Sequence, residues 1–240
     1  MMSKTYSWRR QELVAKSPQV EDFKERWPAL FQPFQINEEF QRCTAVPLES
    51  TFMFQLDRYT PKLLELFNAK GGAVGQRIKA LLKALIQDPC ATVCKKREVT
   101  LRCLIEYMGE RGEELISEHE GEPEVEVQQR LVMHSMKLYV AHEPDAVGII
   151  IEGMPVLADM GNVARACCLL LGLTYALNLQ YPAKLAKTFE VFQRLFVGLD
   201  TLQPKPSSRC RQLEYLHRGT QTGISEGLPN FQVLSVRQPV

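Results

Sequence analysis

From Trp8 to about Glu118, apolar residues recur at intervals of three and four, the spacing of one face of a helix. SWRRQELVAKSP predicts a short helix capped by Ser7, with Pro18 just beyond its end. VEDFKERWPALF carries acids early and Phe23 and Trp27 four apart, and Pro28 breaks it. INEEFQRC can be capped by Asn37. PLESTFMFQLDRYTP opens with Pro47 near a first-turn position and is expected to close before Pro61. PKLLELFNAK then sets Leu63, Leu64, Leu66 and Phe67 at helical spacing. A further helix follows the glycines of AKGGAVGQRIKALLKALI. A longer one runs through KKREVTLRCLIEYMGE, with Val99, Leu101, Leu104, Ile105 and Met108 as its apolar stripe.

The pattern then shifts. EHEGEPEVEVQQ is rich in glutamate and reads as a solvated linker. Beyond it MKLYVAHE and AVGIIIEGMPVL concentrate the β-formers of the chain. Pro144-Asp145 and Glu152-Gly153 supply turns between them, and Pro155 suits an edge strand, where a missing donor is harmless. Asn162 caps VARACCLLLGLTYALNL, which is apolar almost all round and so needs cover on most sides. AKLAKTFEVFQRLFVGLD aligns Leu185, Phe189, Phe192, Phe196 and Leu199 on one stripe. It is expected to lie across the preceding helix, both covering one face of the sheet. QPKPSSRCRQ and HRGTQTGISEGLPN lack regular pattern and read as a disordered tail. The expected fold is mainly α with a small antiparallel β-meander (α+β). It divides into a helical array (6–117), an acidic linker (118–130), a meander with a helix pair (131–202) and a disordered tail (203–240).

Totals narrow the function classes. The chain has 240 residues and a net charge of +1, which gives no global case for a nucleic-acid or membrane-surface binder. The start, MMSKTYSWRRQEL, lacks the apolar core of a signal peptide. The longest apolar run, Ala166 to Leu179, is too short to span a bilayer. Seven cysteines without secreted-scaffold spacing point to reduced thiols, in cytoplasm or nucleus.

Motifs of chemistry are few. Gly71, Gly72 and Gly75 precede a lysine-bearing helix, as a phosphate loop does. Gly75 is followed by Gln76 and Arg77 rather than by Lys and a metal-holding hydroxyl, and no strand leads in. A left-handed helix cap at Gly71-Gly72 with a new helix near Ala73 accounts for them. An anion could rest on the free amides there, with Lys95, Lys96 and Arg97 as a nearby basic triplet. Cys90, Cys94 and Cys103, with His119, miss the spacing of a zinc knuckle. Cys167-Cys168 falls inside the most apolar helix, where a thiol is inert. No G-x-S-x-G or H-E-x-x-H occurs.

VGIIIEGMPVLADMGNVARACCLLLGLTYALNLQYPAKLAKTFEVFQRLF, together with WRRQELVAKSPQVEDFKERWPALF and LLELFNAKGGAVGQRIK, resembles the fish proteins labelled sterile alpha motif domain-containing protein 3-like, over roughly residues 6 to 200. No separate sterile alpha motif stands out here, and the tail after Asp200 departs from the family pattern. The resemblance implies neither a catalytic residue nor a ligand, and it favours an interaction protein.

The expectation is a non-enzymatic intracellular protein-interaction module, without cofactor or metal. Its protein partner is unidentified, self-association is possible, and neither nucleic acid nor membrane is expected. Phe189, Phe192 and Phe196 form the candidate surface if strands and helix leave them uncovered. The alternative is a nucleotide- or nucleic-acid-binding protein using Gly71, Gly72, Gly75, Arg77, Lys95, Lys96 and Arg97. A thiol enzyme is a third possibility, marked by one unusually fast cysteine.

Overall fold

The computed structural model describes residues 2–119, 124–131, 133–142, 145–199 and 206–218. Its helices are α1 (Tyr6–Lys16), α2 (Val20–Arg26), α3 (Pro33–Thr44), α4 (Leu48–Asn68), α5 (Gly72–Gln87), α6 (Val93–Tyr107), α7 (Gly112–Leu115), α8 (Glu124–Leu131), α9 (Val163–Ala176), α10 (Ala186–Val191) and α11 (Ser208–Arg218). Its strands are β1 (Ile116–His119), β2 (Met136–His142), β3 (Asp145–Ile151) and β4 (Met154–Leu157). The class is therefore mainly α with one small sheet, as the periodicity predicts. Two compact units form, each from separated stretches. Of the described residues, one gathers those up to Glu49 with those from Glu113 to Pro182, the other Ser50–Gly112 with those from Ala183 to Arg218. This grouping runs differently from the consecutive segments drawn from composition.

The first unit holds the sheet, in the order β1-β2-β3-β4. β2, β3 and β4 make the expected antiparallel meander, and Glu152-Gly153 turns β3 into β4 with both residues at positive φ (51° and 75°). Such a two-residue turn matches the twist of the strands it joins. Pro155 does fall on an edge strand, and the Lys24 ammonium bonds its carbonyl at 2.8 Å. β1 was not foreseen. It adds parallel to β2, pairing Ile116 with Leu138.

One face of the sheet packs Tyr139 and Ile150 against Val127 and Leu131 of α8, all buried together. The residues around α8 were read as linker. Val127 and Leu131 are one turn apart on a single face, and their burial organises a helix despite the glutamates around them. Glu120–Pro123 lie outside the described residues, as does Pro144.

α9 also packs on β2 and β3, and it is covered in addition by α3. Phe40 of α3 meets Tyr175 edge-on at 5.0 Å. A Cβ on Gly172 would lie 2.7 Å from Ile36 and 2.5 Å from Leu48, so the missing side chain is what lets these neighbours close in. The predicted cover for α9 was the helix after Tyr181-Pro182. α3 takes that place, and α10 belongs to the second unit.

Caps correct the sequence reading in detail. Asn162 caps α9 as expected, accepting from the Arg165 amide at 2.9 Å. Ser7 does not cap α1, which starts at Tyr6; the Thr5 hydroxyl before it is taken by the Arg9 guanidinium. Asn37 sits within α3 and caps the next helix instead, accepting from the Glu49 amide at 3.0 Å.

In the second unit α4 runs through Pro61 rather than stopping before it. Phe52, Leu56, Tyr59, Leu63 and Phe67 form one buried stripe on both sides of the proline. Burying five large side chains, each worth about 1.5–3 kcal/mol, outweighs the roughly 3 kcal/mol cost of an interior proline. α5 and α6 form an antiparallel hairpin: Arg77 pairs with Glu106 at 2.5 Å, and the Cys103 thiol meets the Ile78 carbonyl at 3.9 Å. The Glu110 carboxylate caps α10, accepting from the amides of Lys187 and Thr188 at 2.9 Å each and from the Thr188 hydroxyl at 2.6 Å. α11 lies within the stretch read as a disordered tail. Cys210 and Leu213, three apart, are fully buried and give it an inner face. Residues 219–240 of that tail lie outside the described residues.

Candidate functional site

Phe189, Phe192 and Phe196 are fully buried. Phe52 of α4 fills the space against them, its ring 5.5 Å from Phe192 and 5.1 Å from Phe196. Phe192 in turn lies 5.7 Å from Phe189 and stacks on Phe196 at 5.9 Å. Edge-to-face pairs at these separations are favourable packing. The patch expected at these three rings is therefore closed within this chain. The reason was invisible to periodicity: the covering residue comes from a helix more than a hundred positions earlier in the chain, not from the neighbouring sheet.

The residues of the anion reading are also accounted for one by one. Gly72 takes a left-handed conformation (φ 71°) at the start of α5, with Gly71 as the N-cap residue. A Cβ on Gly75 would stand 2.0 Å from the Lys70 carbonyl oxygen, so this glycine serves a close backbone approach. Its amide bonds the Gly71 carbonyl at 3.3 Å. Arg77 is engaged by Glu106. Arg97 is held by Asp57, and Lys95 lies 3.5 Å from Glu98. Lys96 is exposed. Arg77 sits beside the last turn of α6, whereas Lys95, Lys96 and Arg97 are in its first turns. Eleven residues of helix from Lys95 to Glu106 span about 16 Å. The glycine loop and the basic triplet are thus set at opposite ends of the hairpin, too far apart for one small anion.

The same geometry reveals a different feature, at the turn of the α5–α6 hairpin. On α5 the inward stripe is Gly75, Ile78 and Leu82, all buried. Its next member, Ile86, is 73 % exposed. On α6, Val93 lies one heptad before buried Thr100, on the same face, and is 57 % exposed. Because the helices are antiparallel, these two exposed residues lie at the same end of the hairpin. α4 runs parallel to α6: Asp57 pairs with Arg97, and ten residues on in each helix Phe67 lies 5.6 Å from Tyr107. Phe54, one turn before Asp57, is therefore level with Val93, and it is 64 % exposed. Lys83, Cys90, Cys94, Lys95 and Lys96 are exposed around them. The result is an exposed apolar tip with Lys83, Lys96 and the Asp88 of the turn around it. Sequence reasoning missed it because Ile86 and Val93 obey helical periodicity; only the ends of the surrounding helices show that nothing among the described residues of their own unit buries them. The stripes running into the turn were the available signal.

Cys90 and Cys94 are the exposed thiols; Cys103, Cys167, Cys168 and Cys210 are buried. Burial, with Glu106 nearby, pushes the Cys103 thiol up to about 12, and burial pushes Cys168 well above the usual thiol value. Neither is poised as a nucleophile. Among the described residues, no three or more His, Cys, Asp or Glu side chains gather as a metal would require. No helix among them is long and apolar enough to cross a membrane.

No curated protein and no solved structure matches the chain. A family match does arise at the N-terminus, over residues 1–32, which hold α1, α2 and the short turn that follows. The family is Sterile alpha motif domain-containing protein 3, helical domain. On that match, the chain is similar to the sterile alpha motif domain-containing protein 3 family, as its sequence resemblance implies.

Proposed function

We propose that this protein is a non-enzymatic, intracellular protein-interaction module whose contact surface is the tip of the α5–α6 hairpin. The observation that carries the reading is the exposure of Ile86, the last member of an otherwise buried stripe, and of Val93 at the start of α6, near the level of exposed Phe54. An aromatic and two branched aliphatic side chains in water at one end of a helical layer are what a partner's pocket covers. Exposed Lys83 and Lys96, set against the single Asp88 of the turn, favour a partner with an apolar pocket and carboxylates on its rim, which steers approach. Seven cysteines, none of them in a disulfide, suit the reducing cytoplasm or nucleus.

The test is quantitative capture of partners from native tissue by wild type and by an I86S/V93S variant. Both side chains are exposed, so the variant is expected to keep its melting temperature. It should lose the proteins that wild type holds, at least tenfold. Retention of the same proteins would remove the hairpin tip from the reading. Binding to anionic vesicles in place of proteins would assign the tip to a lipid surface.

A further inference from the structure

The net charge of +1 conceals two units of opposite sign. In the first unit, up to Glu49 and from Glu113 to Pro182, ten Lys and Arg stand against eighteen Asp and Glu. In the second, Ser50–Gly112 with Ala183–Arg218, eighteen stand against nine. The surfaces repeat the contrast. Among the described residues, the first unit exposes eight carboxylates and four cations, the second nine cations and three carboxylates. Several carboxylates of the second unit are engaged inside it: Glu106 by Arg77 and the Gly112 amide, Glu110 by the start of α10, Glu214 by Arg194. At the hairpin tip, exposed Ile86 and Val93 lie with exposed Lys83 and Lys96. The first unit presents the converse on the outer side of α8. Val125 comes two residues before buried Val127, which sets it on the opposite side of the helix. It is 64 % exposed, and Glu126 beside it is exposed as well.

We propose that the hairpin tip is occupied by a second copy of this chain, seated through the outer side of its α8. The inference rests on the tip being a contact surface and names what covers it. Charge complementarity selects the occupant. The tip lysines favour carboxylates beside an apolar side chain, and Val125 with Glu126 supplies that combination on the oppositely charged unit. Opposite charge brings the surfaces together, and contact of Val125 with Ile86 and Val93 then removes apolar area from water. Each chain can give its α8 to one tip and receive another's on its own, so a pair or a longer row is built from a single kind of contact. Surfaces this small make the association weak, and exposed charges make it salt-sensitive.

Sedimentation of the full chain over a concentration series, at low and high sodium chloride, tests it. Wild type should pass from monomer to dimer or larger as concentration rises, and high salt should weaken this at least tenfold. I86S/V93S should weaken it as strongly. E126K and K83E each set like charges across the contact and should associate less tightly than wild type. Mixed in equal amounts they restore opposite charges at both contacts, K83E tip on E126K helix and native tip on native helix. The mixture should then associate more tightly than either variant alone. All the substituted side chains are exposed, so melting temperatures should stay at the wild-type value. A wild-type chain that remains monomeric at low salt up to its highest soluble concentration overturns the proposal. So does an association that neither salt nor E126K weakens. If the chain is monomeric and I86S/V93S still loses captured proteins, the tip remains a contact surface and only its occupancy by a second copy is refuted.

Discussion

Arg97 grips Asp57 with two nitrogens, Nε to Oδ1 at 2.7 Å and Nη2 to Oδ2 at 2.5 Å. The pair joins two helices forty residues apart in sequence and marks their parallel register, in which Phe54 is level with Val93. It also engages the arginine that would otherwise strengthen the case for an anion site. Asp57, by hydrogen bonding, holds the Arg97 guanidinium above its ordinary value.

Because Asp57 is partly exposed, the pair is expected to contribute little to stability. D57N should lower the free energy of unfolding by less than about 1 kcal/mol. The difference from wild type should shrink in concentrated salt, since screening acts on exposed charges. Urea titrations at low and high sodium chloride measure both quantities. A salt-independent loss of several kcal/mol would mean that the register of α4 and α6 depends on this contact alone.

Gly75 separates a structural glycine from a phosphate-loop glycine. Alanine normally improves a helix interior by up to ~1 kcal/mol over glycine. Here its methyl would collide with the Lys70 carbonyl, so G75A is expected to destabilise by on the order of 2 kcal/mol. G71A, with open space around its Cβ and an ordinary φ of −98°, should be close to neutral. Thermal melts of the two variants, with and without a nucleotide panel, check this. Equal behaviour of the two would contradict the close approach.

In the first unit Arg9 and Glu39 are a buried ion pair, with Nη2 to Oε2 at 2.7 Å. Arg9 also donates to the Met2 carbonyl at 2.8 Å and lies 5.5 Å above the Trp27 ring. E39L leaves a buried guanidinium without its counter-ion and should cost about 3–5 kcal/mol. The double variant R9M/E39L removes both charges and should recover most of that loss. Chemical unfolding of the single and double variants, taken as a cycle, decides whether the pair acts as a unit.

His119 on β1 gives a pH signature. Burial and the neighbouring Arg130 and Lys137 cations hold it below the usual histidine value of 6.5. The folded state therefore prefers the neutral ring. Its stabilising contribution is whole above the unfolded value and is lost as pH falls through the lower folded one. Melting temperature should drop between pH 7 and 5, and less steeply in H119Q. An identical slope in the two proteins would assign the drop to other groups.

The fold was legible where a pattern was local. The helices α5 and α6, the β2–β3–β4 meander and the Asn162 cap follow from spacing and turn chemistry within a dozen residues. What failed depended on distant partners. Pro61 did not stop α4 because its helix buries one stripe on both sides of it. Val127 and Leu131 made a helix of an acidic stretch because Tyr139 and Ile150 receive them. Cys210 and Leu213 made a docked helix of a proline- and serine-rich segment because α10 and the end of α6 offer a seat. Phe192 and Phe196 were hidden by Phe52. The hairpin tip went unread for the same reason: exposure of Ile86 depends on where its neighbours end, which no periodicity encodes.

The most direct measurement places a photo-crosslinking side chain at position 86, and separately at position 76, in the full chain within its native cells. Both positions are exposed on α5, ten residues and about 15 Å apart along the helix. If the tip is the contact surface, crosslinks to a protein partner form from position 86 and not from 76, and they disappear when Val93 and Phe54 are changed to serine. Crosslinks in equal yield from both positions, or from 76 alone, would contradict it.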